Sequence, residues 1–388
     1  MIRMASLFAS QPRLEKICKD WNNEFLSSCF TKYSFISNDE DSVNELHEKA
    51  NDLEYLINLC GSNLTRLDVM QYPTSQIMPI INANCPNLEK LNSAFKEIMS
   101  QDFENVFSNM SHLRELTIEY KCETSTLPMT LAKSLEQIGG TLKSLKLSYD
   151  FQVIGTWKTL ELSYERKNMF LPDSLASVFP RLIALKYLAI SGFGLSQLLV
   201  QSIGDMKNLA ELSLFSYWPK KHPMLDTRIN MYPIGNLKNL ETLHILCDYG
   251  VTDEFLINLC NNAKKLEDLH IIGTNITDIG MSAIDNLQEL KNFDIGLNGT
   301  RPGLRHNEFI TDESIQCLFN QKLYSFNISN CIKITDKAVI KLVDNLPNLE
   351  YLYIRNTKVT REAVNKMYKL TEHRLKPLRV LENIENVD

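Results

Sequence analysis

The chain is predicted to fold as an α/β solenoid, with short strands lined up as a parallel sheet on the concave face and helices on the convex face. Three observations predict it. One unit recurs: a short apolar strand, a polar turn, Ile-Thr-Asp or a variant, an amphipathic helix, then Pro-Asn-Leu or an equivalent leading into the next strand. The unit is plainest over residues 331–367, where Leu349, Leu352 and Ile354 read L-x-x-L-x-I after Leu323, Phe326 and Ile328 have read the same way. Finally, the pattern L-x-x-[LF]-x-[LIV] recurs with first leucines at Leu64, Leu113, Leu142, Leu185, Leu209, Leu240, Leu266 and Leu290, and more weakly at Leu88, where Ser93 takes the third apolar place.

Successive first leucines are 24, 25, 29, 43, 24, 31, 26, 24, 33 and 26 residues apart, which makes eleven candidate repeats. A unit of about 25 residues falls in the window of leucine-rich repeats, and the longer intervals read as insertions. Such a unit cannot bury its apolar face alone and needs neighbours stacked on either side. The fold class is therefore a leucine-rich-repeat solenoid, or horseshoe, over residues 38–370. A short helical segment precedes it at 1–37 and a tail follows at 371–388.

Each helix start carries its own signal. Val251-Thr252-Asp253, Ile276-Thr277-Asp278, Ile310-Thr311-Asp312 and Ile334-Thr335-Asp336 repeat one tripeptide, with Val359-Thr360-Arg361 as a degenerate copy. Threonine suits an N-cap, its hydroxyl accepting an orphan amide. The acids that follow, including Glu254, Glu313 and Glu362, place negative charge where the helix dipole favours it.

These tripeptides, with Cys85-Pro86-Asn87-Leu88 and with Cys331 after a strand, resemble the cysteine-containing leucine-rich repeats of F-box proteins. The resemblance is good from about Leu240 to Met367 and looser from Leu64 to Leu214. It implies a substrate-recognition subunit of an SCF-type ubiquitin ligase, partnered by a Skp-type adaptor, the cullin ligase core and a protein substrate. In residues 12–35, Ile17, Cys18 and Trp21 match the late helix of an F-box, flanked at helical spacing by Leu14 and Phe25. These five are the candidate adaptor contacts. The first half of the motif has no counterpart upstream, so a helix that caps the apolar end of the array stands as the other reading.

Composition narrows the classes. The 388 residues are 44% hydrophobic with a net charge of −6. That balance argues against a general nucleic-acid or membrane-surface role. Nine cysteines are spread through the chain. Cys60, Cys85, Cys260 and Cys331 fall at repeat positions where a small buried group suffices, which suggests packed free thiols rather than a disulfide framework. The N-terminus has too short an apolar patch for a secretory signal, and no run approaches a membrane span. A cytosolic location is expected, with the nucleus also open.

Candidate binding residues come from the repeat geometry. Residues between the apolar positions of each strand point outward on the sheet. In that set Tyr187, His244, His270, Tyr351 and Tyr353 stand out, together with Phe215, Leu246, Ile272 and Arg355 just after the strands. Exposed Tyr, Phe and Arg are favoured interface anchors, although Phe215 also suits packing beneath the insertion it leads into. Insertions after the strands should project from one rim. Their candidate contacts are Trp218, Lys220, Lys221, Arg301 and Arg305, and tolerated surface loops are the plainer alternative.

His244 and His270 occupy equivalent places on neighbouring strands, with Asp268 and Asp294 close by. A metal site lacks a third ligand at suitable spacing, and a solvated ladder of like residues is preferred. No nucleophile elbow, phosphate-binding loop, His-Glu-x-x-His or dinucleotide fingerprint occurs. Neither catalysis nor a cofactor is expected. Two functions remain: the ligase substrate receptor, and a protein-binding scaffold unconnected to any ligase.

Overall fold

The computed structural model describes residues 31–36, 43–120, 127–149, 170–215, 229–247, 249–273, 275–296 and 306–382. The chain divides into two compact units, Met1–Gly194 and Leu195–Asp388. The first holds strands β1 (Lys32–Ile36), β2 (Arg66–Thr74), β3 (Lys90–Glu97), β4 (Glu115–Tyr120), β5 (Ser144–Tyr149) and β6 (Tyr187–Ser191), each parallel to the next. Its helices are α1 (Val43–Cys60), α2 (Ile77–Asn84) and α3 (Met129–Glu136).

The second unit holds β7 (Glu211–Phe215), β8 (Thr242–Leu246), β9 (Asp268–Ile271), β10 (Asn292–Asp294), β11 (Ser325–Asn327), β12 (Tyr351–Tyr353) and β13 (Arg379–Leu381), again parallel and in chain order. Its helices are α4 (Gln197–Gly204), α5 (Asp253–Asn262), α6 (Asp278–Met281), α7 (Asp312–Ile315), α8 (Asp336–Asn345) and α9 (Arg361–Thr371). This is the leucine-rich-repeat architecture expected from the spacing.

The repeats extend further at both ends than 38–370. β1 lies in the segment assigned to an F-box-like helix or cap, and β13 in the segment assigned to a tail. β5 pairs directly with β6. The candidate adaptor residues Leu14, Ile17, Cys18, Trp21 and Phe25 lie outside the described residues, as do Trp218, Lys220, Lys221, Arg301 and Arg305.

The core forms where the apolar places of the pattern meet the helices and short 3-10 turns. Leu266, Leu269 and Ile271 are fully buried, and Leu323, Phe326 and Ile328 repeat this one unit later. Each such side chain contributes about 1.5–3 kcal/mol relative to exposure. Phe293 and Phe326 stack at 5.3 Å across β10 and β11. The weak repeat at Leu88 solves its polar intrusion locally: Ser93 is fully buried and its hydroxyl donates to the Thr117 carbonyl at 3.1 Å.

Polar groups hold neighbouring repeats in register. One carbonyl before most strands accepts two amides from the start of the next. Thr65 does so for Glu89 and Lys90, Glu267 for Lys291 and Asn292, and Tyr324 for Glu350 and Tyr351. The asparagine ahead of the strand adds a side-chain bond to the preceding repeat: Asn87 to Ser62 O, Asn239 to Lys207 O and Asn348 to Gln321 O, at 2.8, 2.9 and 2.7 Å.

The Thr-Asp pairs do more than cap. Thr252, Thr277, Thr311 and Thr360 each accept an amide of their own helix through the hydroxyl, as expected. Thr335 sits at the N-cap without that bond. Each helix-start aspartate also receives both the amide and the hydroxyl of the next repeat's threonine. The pairs are Asp253 with Thr277, Asp278 with Thr311, Asp312 with Thr335 and Asp336 with Thr360. Gly280 leaves room for this bracket, since a Cβ there would stand 2.4 Å from Asp253 Oδ1.

Burial alone would raise the Asp278 carboxyl, but the hydroxyls of Ser314 and Thr311, with their amides, outweigh it and hold it below the ordinary 3.8. Asp278→Ala leaves those donors without their acceptor and is expected to cost about 1–3 kcal/mol of unfolding free energy, read by urea denaturation at pH 7. Because the folded carboxyl titrates below the unfolded one, its stabilisation is complete above the ordinary carboxylate range and fades as pH falls from about 4. The difference between wild type and variant should therefore shrink on acidification. A difference that stays constant to about pH 2 would rule out the carboxylate as its source.

Candidate functional site

Alternation along each strand leaves one face of the sheet uncovered by the repeat's own helices, and its side chains stand in rows set by the register. In the first unit this face largely satisfies itself. Asp68 accepts from Arg66 and Ser34, both at 3.0 Å, and also from Asn92. Lys90 pairs with Glu115. Tyr187, on β6 opposite Ser144, is half-buried.

In the second unit the rows change character from strand to strand. His244 and His270 stand opposite each other on β8 and β9, their rings 5.8 Å apart and edge-on. Each meets a carboxylate on the following strand. His244 Nε2 lies 3.1 Å from Asp268 Oδ1, and His270 Nε2 lies 3.2 Å from Asp294 Oδ2. A carboxylate only accepts, so Nε2 of His244 carries the hydrogen in its bond to Asp268. Asn292 closes the first set by donating to Asp268 Oδ2 at 3.1 Å, and the Gly296 amide donates to Asp294 Oδ1 at 2.9 Å.

Burial dominates the second pair, pushing the His270 imidazole down and the Asp294 carboxyl up, each partly opposed by the other's charge. Asp268 is lowered: its bonds from His244 and Asn292, with the charge of His244, outweigh burial, the largest single effect. The ladder read from the sequence is thus two parallel His–Asp sets. Among the described residues no group of three or more His, Cys, Asp or Glu could hold a metal.

Phe215 and Leu246 stand opposite each other, and Ile272 follows β9 with its amide bonded to the Ile245 carbonyl at 3.2 Å. All three are half-buried, a short apolar row beside the histidines. The buried thiols of Cys85, Cys260 and Cys331 are pushed up to about 12, chiefly by burial, which removes them as nucleophiles at neutral pH.

The C-terminal rows are aromatic and basic. Tyr351 stands between two partners: the Tyr324 ring, edge-on at 5.2 Å, and the Arg379 guanidinium, 5.5 Å from the Tyr351 ring centre. Arg379 also donates to the Tyr351 hydroxyl at 3.3 Å. Lys376 lies 5.6 Å over Tyr324 and pairs with Glu350 at 2.6 Å. Tyr353 and Arg355 continue outward along the same strand and turn, both half-buried.

The structure thus surrounds Tyr351 with residues that sequence reasoning missed, Tyr324 and Arg379 directly and Lys376 over Tyr324. Tyr324 was passed over because it directly follows its first leucine, outside the outward alternation. Lys376 and Arg379 lay in the presumed tail. A signal existed there, since Leu375, Leu378 and Val380 match the repeat pattern, but that match is out of register with the observed strand: Val380, not Leu378, pairs with Leu352. Leu375 is fully exposed.

No protein-family model matches the chain. A curated protein of Candida albicans named "Antagonist of mitotic exit network protein 1" is 28% identical over 199 residues, 46% of this chain and 30% of the relative. The chain thus spans under a third of that relative's length. Among solved structures, a leucine-rich-repeat protein of Leptospira interrogans is similar at a TM-score of 0.48 and 17% identity, covering 96% of this chain and 87% of the other. The Rad7 and Elc1 complex of yeast is similar at 0.39 and 16%, covering 96% and 99%. A Bacteroides fragilis protein is similar at 0.39 and 16%, covering 72% and 67%.

The His270 assignment is testable by proton NMR. Its ring should titrate below the ordinary 6.5, and Asp294→Asn, which removes the charge that opposes burial, should lower the midpoint further. A wild-type midpoint above 6.5 would mean that burial is not the dominant influence, and an upward move in the variant that the Asp294 charge does not oppose it.

Proposed function

We propose that this chain is a non-catalytic protein-binding subunit that holds a partner against the open face of its repeats. The observation that carries the reading is the half-buried set of Tyr351 and Tyr353, held in strand register on β12, and Arg355 just beyond it, with Tyr351 set between Tyr324 and Arg379. Aromatic side chains fixed in place lose little conformational freedom on binding, and tyrosine and arginine are favoured anchors. The resemblance of the repeats to those of F-box proteins supports the finer reading, a substrate receptor of an SCF-type ligase whose partner is presented for ubiquitination by other subunits. Binding and positioning would be its whole contribution. The Candida albicans relative is named as an antagonist of the mitotic exit network. Opposing a signalling network by engaging one of its proteins is within reach of such a chain.

A scaffold without a ligase is the second reading, favoured by β1, a strand of the repeat sheet that lies within the residues where the F-box-like helical segment was expected. Pull-down with a Skp-type adaptor, using the full chain and a version lacking residues 1–30 so that β1 is kept, separates the two. The receptor reading expects stoichiometric capture by the full chain and none by the shorter one. Absence of capture by the full chain overturns it. In either case Tyr351→Ala with Tyr353→Ala should reduce capture of the protein partner by tenfold or more, on the order of a hot-spot loss, with the thermal unfolding midpoint little changed.

A further inference from the structure

We infer that the C-terminal end of the open face in the second unit recognises an acidic protein segment, its carboxylates bound by Arg355 and Arg379 and its backbone laid along Tyr351 and Tyr353. The inference rests on the open face being the partner-binding surface.

Charge along that face carries it. From β7 to β10 the outward residues include Glu211, Asp268 and Asp294. From β11 onward no outward residue is acidic: Ser325, Asn327, Tyr351, Tyr353, Arg379 and Leu381 follow, with Arg355 just beyond β12. The two carboxylates that adjoin β12 and β13 in sequence are already engaged, Glu350 by Lys376 and Glu382 by Arg361, both at 2.6 Å. Among the described residues neither Arg355 nor Arg379 has a carboxylate within ion-pair distance. Two guanidiniums without anions, next to fixed aromatic rings, form a surface that an acidic chain complements.

The site is also held in place. The Asn330 amide donates to the Arg355 carbonyl at 2.7 Å, Ile328 to Tyr353 at 3.0 Å, and Ile354 to Leu381 at 3.1 Å. Asn330 takes φ +67° and Asn356 φ +54°, a left-handed turn at the same place in consecutive repeats, joined by a 2.8 Å side-chain bond. The turn that carries Arg355 is therefore tied down on both sides. Arg379 is oriented by the Tyr351 ring and hydroxyl, leaving the rest of its planar fork for a ligand. A nucleic acid fits less well, because the Asp268 and Asp294 rows of the same face would repel a continuous phosphate backbone.

The test uses the full chain and a fluorescein-labelled peptide of mixed Asp, Glu and Gly, with an Asn, Gln and Gly peptide as the uncharged control. Anisotropy should report binding of the acidic peptide alone, weakening as salt rises. Arg355→Glu should reduce that affinity by roughly tenfold or more, and Arg355→Ala with Arg379→Ala by at least as much. The Arg355 side chain makes no bond within the described structure, so Arg355→Glu keeps the test valid even where an Arg379 variant disturbs β13. Equal binding of the uncharged peptide, or binding unmoved by Arg355→Glu, overturns the inference, as does tighter binding of an oligothymidylate. Partner capture by the Tyr351/Tyr353 double variant is read in parallel. Its loss together with peptide binding unmoved by Arg355→Glu leaves the face as the binding surface and removes only the acidic partner.

Discussion

The polar bracket between consecutive repeats is what the second unit depends on. Apolar contact between stacked repeats is strong but indifferent to small sliding, because leucine meets leucine at either of two settings. The aspartate at one helix start, gripping the amide and hydroxyl of the next threonine, admits one setting. Four such brackets run from Asp253 to Thr360, and the two-amide carbonyls before the strands fix the other end of each repeat. The rows of the open face inherit that register. His270 meets Asp294, and Arg379 meets Tyr351, because the repeats beneath them cannot slip.

Much of this was legible in the residues. The L-x-x-L-x-L spacing identified the apolar places, and the structure buries nearly all of them. Opposition of His244 and His270 followed from counting alone. The bracket did not follow, since Ile-Thr-Asp reads equally well as a cap plus a favourable helix-end charge, and only three-dimensional stacking brings an aspartate to the threonine about 24 residues later. The ends were missed for a similar reason. β1 writes its apolar places as Tyr33 and Phe35 rather than leucine, and β13 presents a matching pattern in the wrong register.

The candidate site shows the same division. Tyr351, Tyr353 and Arg355 were recognisable as outward residues, whereas the contacts that orient them involve Tyr324 and Arg379, one outside the alternation and the other outside the presumed array. Polar rows on the remainder of the face are largely engaged with one another, as Asp68 and Asp268 are. This internal satisfaction makes the C-terminal rows distinctive, and no pattern confined to one repeat could have revealed it.

β13 carries a further consequence. Among the described residues it pairs with β12. It is three residues long, and one of the three is Arg379. Brevity and a charged side chain are common means of discouraging edge-to-edge growth of sheets into aggregates. Any strand laid against β13 would therefore meet, within three residues, the arginine that orders the last aromatic row.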